Sequence, residues 1–87
     1  MSKPRVLLVT IPDCHLCDRA RETLTAVAHQ EDICWHERDL TRTGADDPHW
    51  WDEVPLILID GVVRCRLRID EDELREALRS PAATFGA

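Results

Sequence analysis

Two short runs of consecutive apolar residues constrain the fold of this chain more than any other feature. Val6–Val9 and Leu56–Ile59 contain only Val, Leu and Ile, and residues that favour turns follow each of them closely. Such runs are typical of strands that are covered on both faces, as in a parallel or mixed sheet. Helices must then lie on both sides of the sheet, so the sequence predicts the α/β class.

A helical pattern follows the first strand. Asp13 is the predicted N-cap, and the helix is expected to reach about His29. Its apolar stripe has spacings of three or four residues and consists of Cys17, Ala20, Leu24 and Val27. Ile33–Arg38 is predicted to form a second strand, polar enough for a sheet edge. A strand, a helix and a strand in this order predict a parallel, right-handed crossover.

The second half of the chain predicts a hairpin and a last helix. Asp60-Gly61 suits a tight turn between two antiparallel strands, because both central positions need positive φ. After the turn, inward-facing residues are expected to alternate with arginines, namely Val63, Cys65 and Leu67 with Arg64, Arg66 and Arg68. Asp70 is the predicted N-cap of a helix that ends before Pro81.

The segment between the second and third strands is expected to be mostly irregular. Thr41–Ala45 is predicted to be a loop, and Asp47-Pro48 is predicted to start a short helix that runs through Trp51. The predicted order is β-α-β-(α)-β-β-α in one domain, residues 1–87, with a core at about 5–79 and a frayed tail at 80–87.

Charge and hydropathy exclude several functional classes. The 87 residues include 17 Asp and Glu against 11 Lys and Arg, and the basic residues form no continuous face that would bind nucleic acid or an anionic membrane. No apolar run is long enough for a signal peptide or a membrane span. We therefore expect a cytoplasmic monomer, and in that compartment cysteines stay reduced.

Cys14-His15-Leu16-Cys17 is the one sharp motif. It lies between the first strand and the first helix, where free backbone N–H groups and the helix dipole favour a thiolate. Cys17 belongs to the apolar stripe and Cys14 does not, so Cys14 is expected at the exposed tip and Cys17 facing inward. The pattern indicates thiol-disulfide exchange, with Cys14 as the nucleophile and Cys17 as the resolving thiol.

Other interpretations of the cysteines remain open. The pair could be half of a structural zinc site completed by Cys34, His36 or Cys65, although a strand returning after the first helix starts at the opposite end of the sheet. It could also be inert packing in a non-catalytic protein-interaction module. Cys34 and Cys65 are expected to be buried and unreactive.

The order of elements, the dithiol at the helix start and Val54-Pro55 before the third strand resemble the glutaredoxin-like branch of the thioredoxin superfamily. The resemblance implies a thioredoxin-like fold with a four-stranded mixed sheet, and an oxidoreductase that needs no cofactor or metal. It also implies that Pro55 is cis and that the main chain of Val54 binds the substrate. The expected partners are protein or low-molecular-weight thiols and disulfides.

Two departures from that family's pattern bear on the substrate. His15-Leu16 replaces the usual residues between the cysteines, and residues 64–70 contain no glycine pair of the kind that helps typical glutaredoxins to hold glutathione. We therefore expect glutathione to be a poor reductant, and the recycling reductant stays unidentified.

Overall fold

The computed structural model describes residues 5–79 as a mixed sheet with helices on both faces. The elements follow one another as β1 (Val6–Thr10), α1 (His15–Glu31), β2 (Trp35–Asp39), α2 (Leu40–Thr43), α3 (Trp50–Glu53), β3 (Leu56–Ile59), β4 (Val62–Arg66) and α4 (Glu71–Arg79). The strands lie in the order β2-β1-β3-β4. This arrangement confirms the predicted α/β class, and the two apolar runs form the central strands.

The strand directions are those that the sequence predicts. β1 pairs with β2 in parallel, and β3 pairs with both β1 and β4 in antiparallel orientation. At the hairpin between β3 and β4, Asp60 has φ 53 and Gly61 has φ 84, which confirms the predicted turn. The register shifts between Ile57 and Leu58, and such an irregularity bends the strand pair locally.

Alternation along the central strands divides the core into two layers. Val6 and Leu8 pack with Ala20, Leu24 and Val27 of α1 and with Leu74 and Ala77 of α4. Val9 packs on the other side, with Leu40 of α2 and Trp50 of α3. Each fully buried aliphatic side chain stabilises the fold by about 1.5 to 3 kcal/mol, so both layers hold the sheet.

Several boundaries differ from the sequence predictions. β2 begins at Trp35, so Ile33 and Cys34 precede it, and α1 continues to Glu31. The predicted loop Thr41–Ala45 is wrong in part because Asp39 accepts a hydrogen bond from the Thr41 amide at 2.8 Å and caps a helical turn. The predicted tail, residues 80–87, lies outside the described residues.

The short third helix also starts later than predicted. Asp47 accepts a hydrogen bond from the His49 amide at 2.9 Å, but this stabilises a turn, and α3 begins only at Trp50. No helix among residues 5–79 is long and apolar enough to cross a membrane.

Candidate functional site

Cys14 is the N-cap of α1. Its φ of -116 and ψ of 109 are extended, and its Sγ accepts a hydrogen bond from the Cys17 amide at 3.1 Å. The prediction that Asp13 is the cap is therefore wrong, because Asp13 lies one residue earlier with a left-handed φ of 54. The sulfur thus takes the place that a carboxylate or hydroxyl oxygen usually has at a helix start. A donated N–H favours a negative charge on that sulfur.

The two sulfurs of the motif differ in exposure. Cys17 is 1% exposed and packs in the core layer under α2 and α3, whereas Cys14 is only partly buried against that layer. Burial, and next the hydrogen bond with the Cys14 sulfur, raise the pKa of Cys17 to about 12. Cys17 is therefore a protonated thiol at neutral pH, and Cys14 is the more accessible of the two.

Val54-Pro55 lies beside this dithiol, as the resemblance implied. The peptide bond between them is cis, and Val54 packs in the same buried cluster as Cys17. The Val54 amide already donates to the Trp50 carbonyl at 3.1 Å, at the end of α3. Trp50 is buried, whereas Trp51 is 43% exposed, so the two tryptophans divide between core and surface.

Leu67 follows β4 at the dithiol end of the sheet and is not the buried strand residue that alternation predicts. β4 ends at Arg66, and Leu67 has a φ of 62 and a side chain that is 46% exposed. Its amide donates to the Pro55 carbonyl at 2.8 Å and to the Glu53 carbonyl at 3.2 Å. These bonds turn the chain out of the sheet, so Arg68 is not part of the predicted strand row either.

A groove of about 350 Å³ lies between α1 and the segment that follows β4. Leu16 and Arg19 line it from the helix, and Leu67 and Arg68 line it from the other side. Because Leu16 lies between the two cysteines in sequence, the groove begins at the dithiol. It combines apolar side chains with two cations and the carboxylate of Glu22.

An ion-pair network fixes α1 to β2 one helical turn after Cys17. Arg21 donates to both carboxylate oxygens of Glu37, at 2.8 and 2.7 Å, and to Asp18 at 2.9 Å. Glu37 also accepts a hydrogen bond from the buried Thr10 hydroxyl at 2.8 Å. The Arg21 guanidinium, followed by the Thr10 hydroxyl, lowers the pKa of Glu37 against the effect of partial burial. The network therefore positions the start of α1 relative to the sheet.

The other two cysteines lie apart from this site. Cys34 is exposed and precedes β2, whose first residue pairs with Val6 at the opposite end of β1. Its predicted burial is wrong because the strand starts two residues later than predicted, at Trp35, and leaves Cys34 outside the sheet. Cys65 is buried as predicted, and burial, followed by the charge of Glu73, raises its pKa to about 11. Among residues 5–79, no cluster of three or more His, Cys, Asp or Glu could hold a metal.

Three of the four residues that the sequence singled out, Cys14, Cys17 and Val54, thus belong to one cluster, and Pro55 follows Val54 through the cis peptide bond. The sequence did not indicate that Leu67 and Arg68 line a groove together with Leu16. The alternation from Val63 to Arg68 suggested a longer strand, and a positive φ at a leucine has no sequence signal. An absent glycine pair in residues 64–70 was the only indication that this segment is unusual.

Comparisons with known proteins agree with this geometry. A family model described as glutaredoxin-like domain (DUF836) matches residues 5–79. The crystal structure of the glutaredoxin (grx-1) from Archaeoglobus fulgidus is similar with a TM-score of 0.59 and 15% identity, over 91% of this chain and 90% of that chain. At this identity the likeness shows the fold alone, and it confirms the predicted thioredoxin-like fold. No curated protein sequence matches the chain significantly.

Proposed function

Because this chain belongs to the glutaredoxin-like domain family, we propose that it is a thiol-disulfide oxidoreductase in which Cys14 and Cys17 cycle between dithiol and disulfide. One observation supports this most directly. The Cys14 sulfur, at a helix start, accepts the Cys17 amide at 3.1 Å, while the Cys17 sulfur is buried beneath it. An inert pair would not need one accessible, hydrogen-bonded sulfur and one shielded neighbour.

In the first step the Cys14 thiolate attacks one sulfur of a substrate disulfide. A bond forms between Cys14 and that sulfur, the substrate S–S bond breaks, and its other sulfur leaves as a thiolate. The amide of Cys17 stabilises the attacking charge, and the N-terminus of α1 adds its dipole. The product is a mixed disulfide between Cys14 and the substrate.

In the second step Cys17 loses its proton to solvent or to the released thiolate and attacks the Cys14 sulfur. The mixed disulfide breaks, the substrate leaves with both of its sulfurs reduced, and Cys14 and Cys17 become a disulfide. Two electrons have then passed from the protein to the substrate. A thiol or dithiol reductant returns them, and we expect glutathione to be a poor one.

Cys17 keeps its proton until late in this sequence because its pKa is raised to about 12. We therefore expect the rate of resolution to rise with pH. Val54 packs in the same cluster as the two cysteines, and we place the substrate segment along Val54 and Pro55.

A redox titration tests the proposal. The protein is equilibrated with dithiothreitol buffers of graded potential, alkylated and analysed by mass spectrometry of its peptides. We expect a loss of two hydrogens confined to the peptide with Cys14 and Cys17, at a potential between about -270 and -120 mV. If this peptide stays alkylated at every potential, or if the purified protein retains zinc, the chain is a non-catalytic module instead.

A further inference from the structure

The groove beside the dithiol contains two arginines without a carboxylate partner. Arg19 and Arg68 line it, and neither has a carboxylate oxygen of residues 5–79 within 4.0 Å. Six of the other eight arginines form such pairs, whereas Arg42 and Arg64, which lie outside the groove, do not; the paired ones are Arg5, Arg21, Arg38, Arg66, Arg75 and Arg79. In a chain with a net charge of -6, two unpaired cations at one groove favour an anionic ligand.

The same groove exposes two leucines. Leu16 is 36% exposed, and Leu67 is held outward by a left-handed backbone whose amide is bonded to the Glu53 and Pro55 carbonyls. Leucine is an unfavourable residue for this conformation, and such positions concentrate at ligand sites. The two side chains offer apolar surface on opposite sides of a groove that also holds the arginines.

We propose that this groove binds a polypeptide segment that carries an acidic and an apolar side chain next to its cystine. The acidic side chain faces Arg19 and Arg68, and the apolar one covers Leu16 and Leu67. The proposal rests on the proposed function and gives it a substrate class, protein disulfides with acidic and apolar flanking residues. Glutathione has carboxylates but no apolar side chain, so it would satisfy the arginines and leave the leucines exposed.

The volume of the groove agrees with a small contact of this kind. At about 350 Å³ it lies at the lower end of ligand sites, which measure about 300 to 1,000 Å³, and suits one or two side chains. Glu22 is the carboxylate among the lining residues, and it disfavours a ligand with a second acidic group on that side.

The experiment uses three synthetic peptides that each contain one disulfide. They differ only beside the cystine, with Glu and Leu, with Lys and Leu, or with Glu and Ser. Rates of reduction by the reduced protein are divided by rates for dithiothreitol, which removes differences in intrinsic disulfide reactivity. Oxidised glutathione and the neutral bis(2-hydroxyethyl) disulfide are measured beside the peptides.

We expect the peptide with Glu and Leu to react about five to ten times faster than the peptide with Lys and Leu at low salt, and the difference to shrink at high salt. An Arg19→Glu and Arg68→Glu double variant should lose or reverse this ratio. Arg42→Glu is the matched control, because Arg42 has no carboxylate partner within residues 5–79, does not line the groove and follows β2, the edge strand opposite β4. Its ratio should equal that of the unchanged protein.

The apolar contact has its own pair of variants. Leu67→Asn keeps a residue that tolerates the left-handed backbone but removes the apolar side chain. It should abolish the preference of about threefold that we expect for Leu over Ser in the two acidic peptides. Val62→Asn, at an exposed valine at the other end of β4, should leave that preference unchanged.

Two results overturn this proposal. One is a set of normalised rates that is equal for all three peptides, and the other is a preference that survives the double arginine variant. Both leave the oxidoreductase proposal intact as long as bis(2-hydroxyethyl) disulfide is reduced. If the unchanged protein reduces none of the disulfides, the proposed function itself fails.

Discussion

Residues with positive φ flank β4 at both ends, but the residue types at the two ends differ. Before the strand, the positive φ angles belong to Asp60 and Gly61, which tolerate them. After the strand, a similar φ of 62 belongs to Leu67, which does not. The first end is the hairpin, where Arg5 binds Asp60 at 3.0 Å, and the second is beside the dithiol, where Arg68 has no carboxylate partner within residues 5–79.

This difference separates a structural end from a candidate functional one. At the hairpin, the turn residues suit their backbone and a bidentate ion pair joins Arg5 to Asp60, so both features favour the fold. Beside the dithiol, an unfavourable backbone and unpaired cations remain without an evident gain in stability. Residues with an unfavourable backbone conformation or an unpaired charge are expected at sites where a ligand supplies the missing contacts.

The largest effect is expected at the dithiol itself. Cys14→Ser should reduce disulfide exchange to the uncatalysed background, because it removes the nucleophile. Cys17→Ser should leave attack intact and accumulate mixed disulfides on Cys14, so that turnover depends on an added thiol. Non-reducing gels and mass spectrometry after incubation with a disulfide substrate distinguish the two variants.

The stability of these variants is the control for the same experiment. Cys14→Ser should unfold as the unchanged reduced protein does, whereas a hydroxyl buried without a partner at residue 17 should lower the free energy of unfolding by about 1 to 3 kcal/mol at most. Adducts trapped on Cys14→Ser but not on Cys17→Ser would reverse the two roles. No adduct on either variant would remove the redox function.

The stability of the reduced protein should also depend on alkaline pH. Burial raises the pKa of Cys17 to about 12 and that of Cys65 to about 11, from an ordinary value of 9.0. The folded state therefore binds these protons more tightly than the unfolded state, and the stability they contribute is complete below about pH 9 and is lost as pH rises through 11 to 12.

Urea unfolding of the reduced protein at about pH 8 and about pH 10.5 measures this loss. The Cys17→Ala variant should lose less stability between the two values than the unchanged protein, and Cys34→Ala should lose as much. Equal losses in Cys17→Ala and the unchanged protein would contradict the assignment of the effect to Cys17. A smaller loss in Cys17→Ala would place one of the two pH-sensitive thiols in the dithiol.

At the hairpin end, Gly61→Ala should lower the free energy of unfolding by about 1 kcal/mol, since a left-handed Ala is less favourable by roughly that amount. No atom lies within 4 Å of the added Cβ, so the effect comes from the backbone alone. Urea unfolding measures it, and disulfide exchange should stay unchanged. A fall in exchange would mean that the hairpin is not the purely structural end.

The smallest effect is expected for Leu67→Gly. Relief of the left-handed conformation gains about 1 to 2 kcal/mol, and the greater freedom of glycine in the unfolded chain offsets about 0.5 to 1 kcal/mol of this. A net gain of about 0.5 kcal/mol should appear in urea unfolding. Destabilisation instead would show that the leucine side chain contributes to folding, and the contrast between the two ends would disappear.

The elements that were predictable are those with strong local patterns. The apolar runs fix β1 and β3, and Asp60-Gly61 fixes the hairpin, because few other structures suit those residues. Asp70 caps α4 as predicted, with its carboxylate 3.3 Å from the Glu73 amide. The inward position of Cys17 also follows from the helical stripe alone.

The boundaries and the groove depend on contacts that a single sequence does not display. The sulfur of Cys14 caps α1 in place of the Asp13 carboxylate, because Asp13 has a left-handed φ and lies one residue before the cap position. Leu67 leaves the sheet because carbonyls of Glu53 and Pro55, distant in sequence, accept its amide. Tertiary hydrogen bonds of this kind override an alternating pattern at its last residues.

The shared hydrogen bond of Leu67 has a mechanical consequence. The Leu67 amide joins the segment before β3 to the segment after β4. The wall of the groove that contains Leu67 and Arg68 is therefore coupled to Val54-Pro55. The opposite wall, with Leu16, belongs to the same helix start as Cys14. A ligand side chain that enters between the two walls therefore also sets the distance between the Cys14 sulfur and Val54-Pro55. Binding in the groove and alignment of the substrate with Cys14 then occur together.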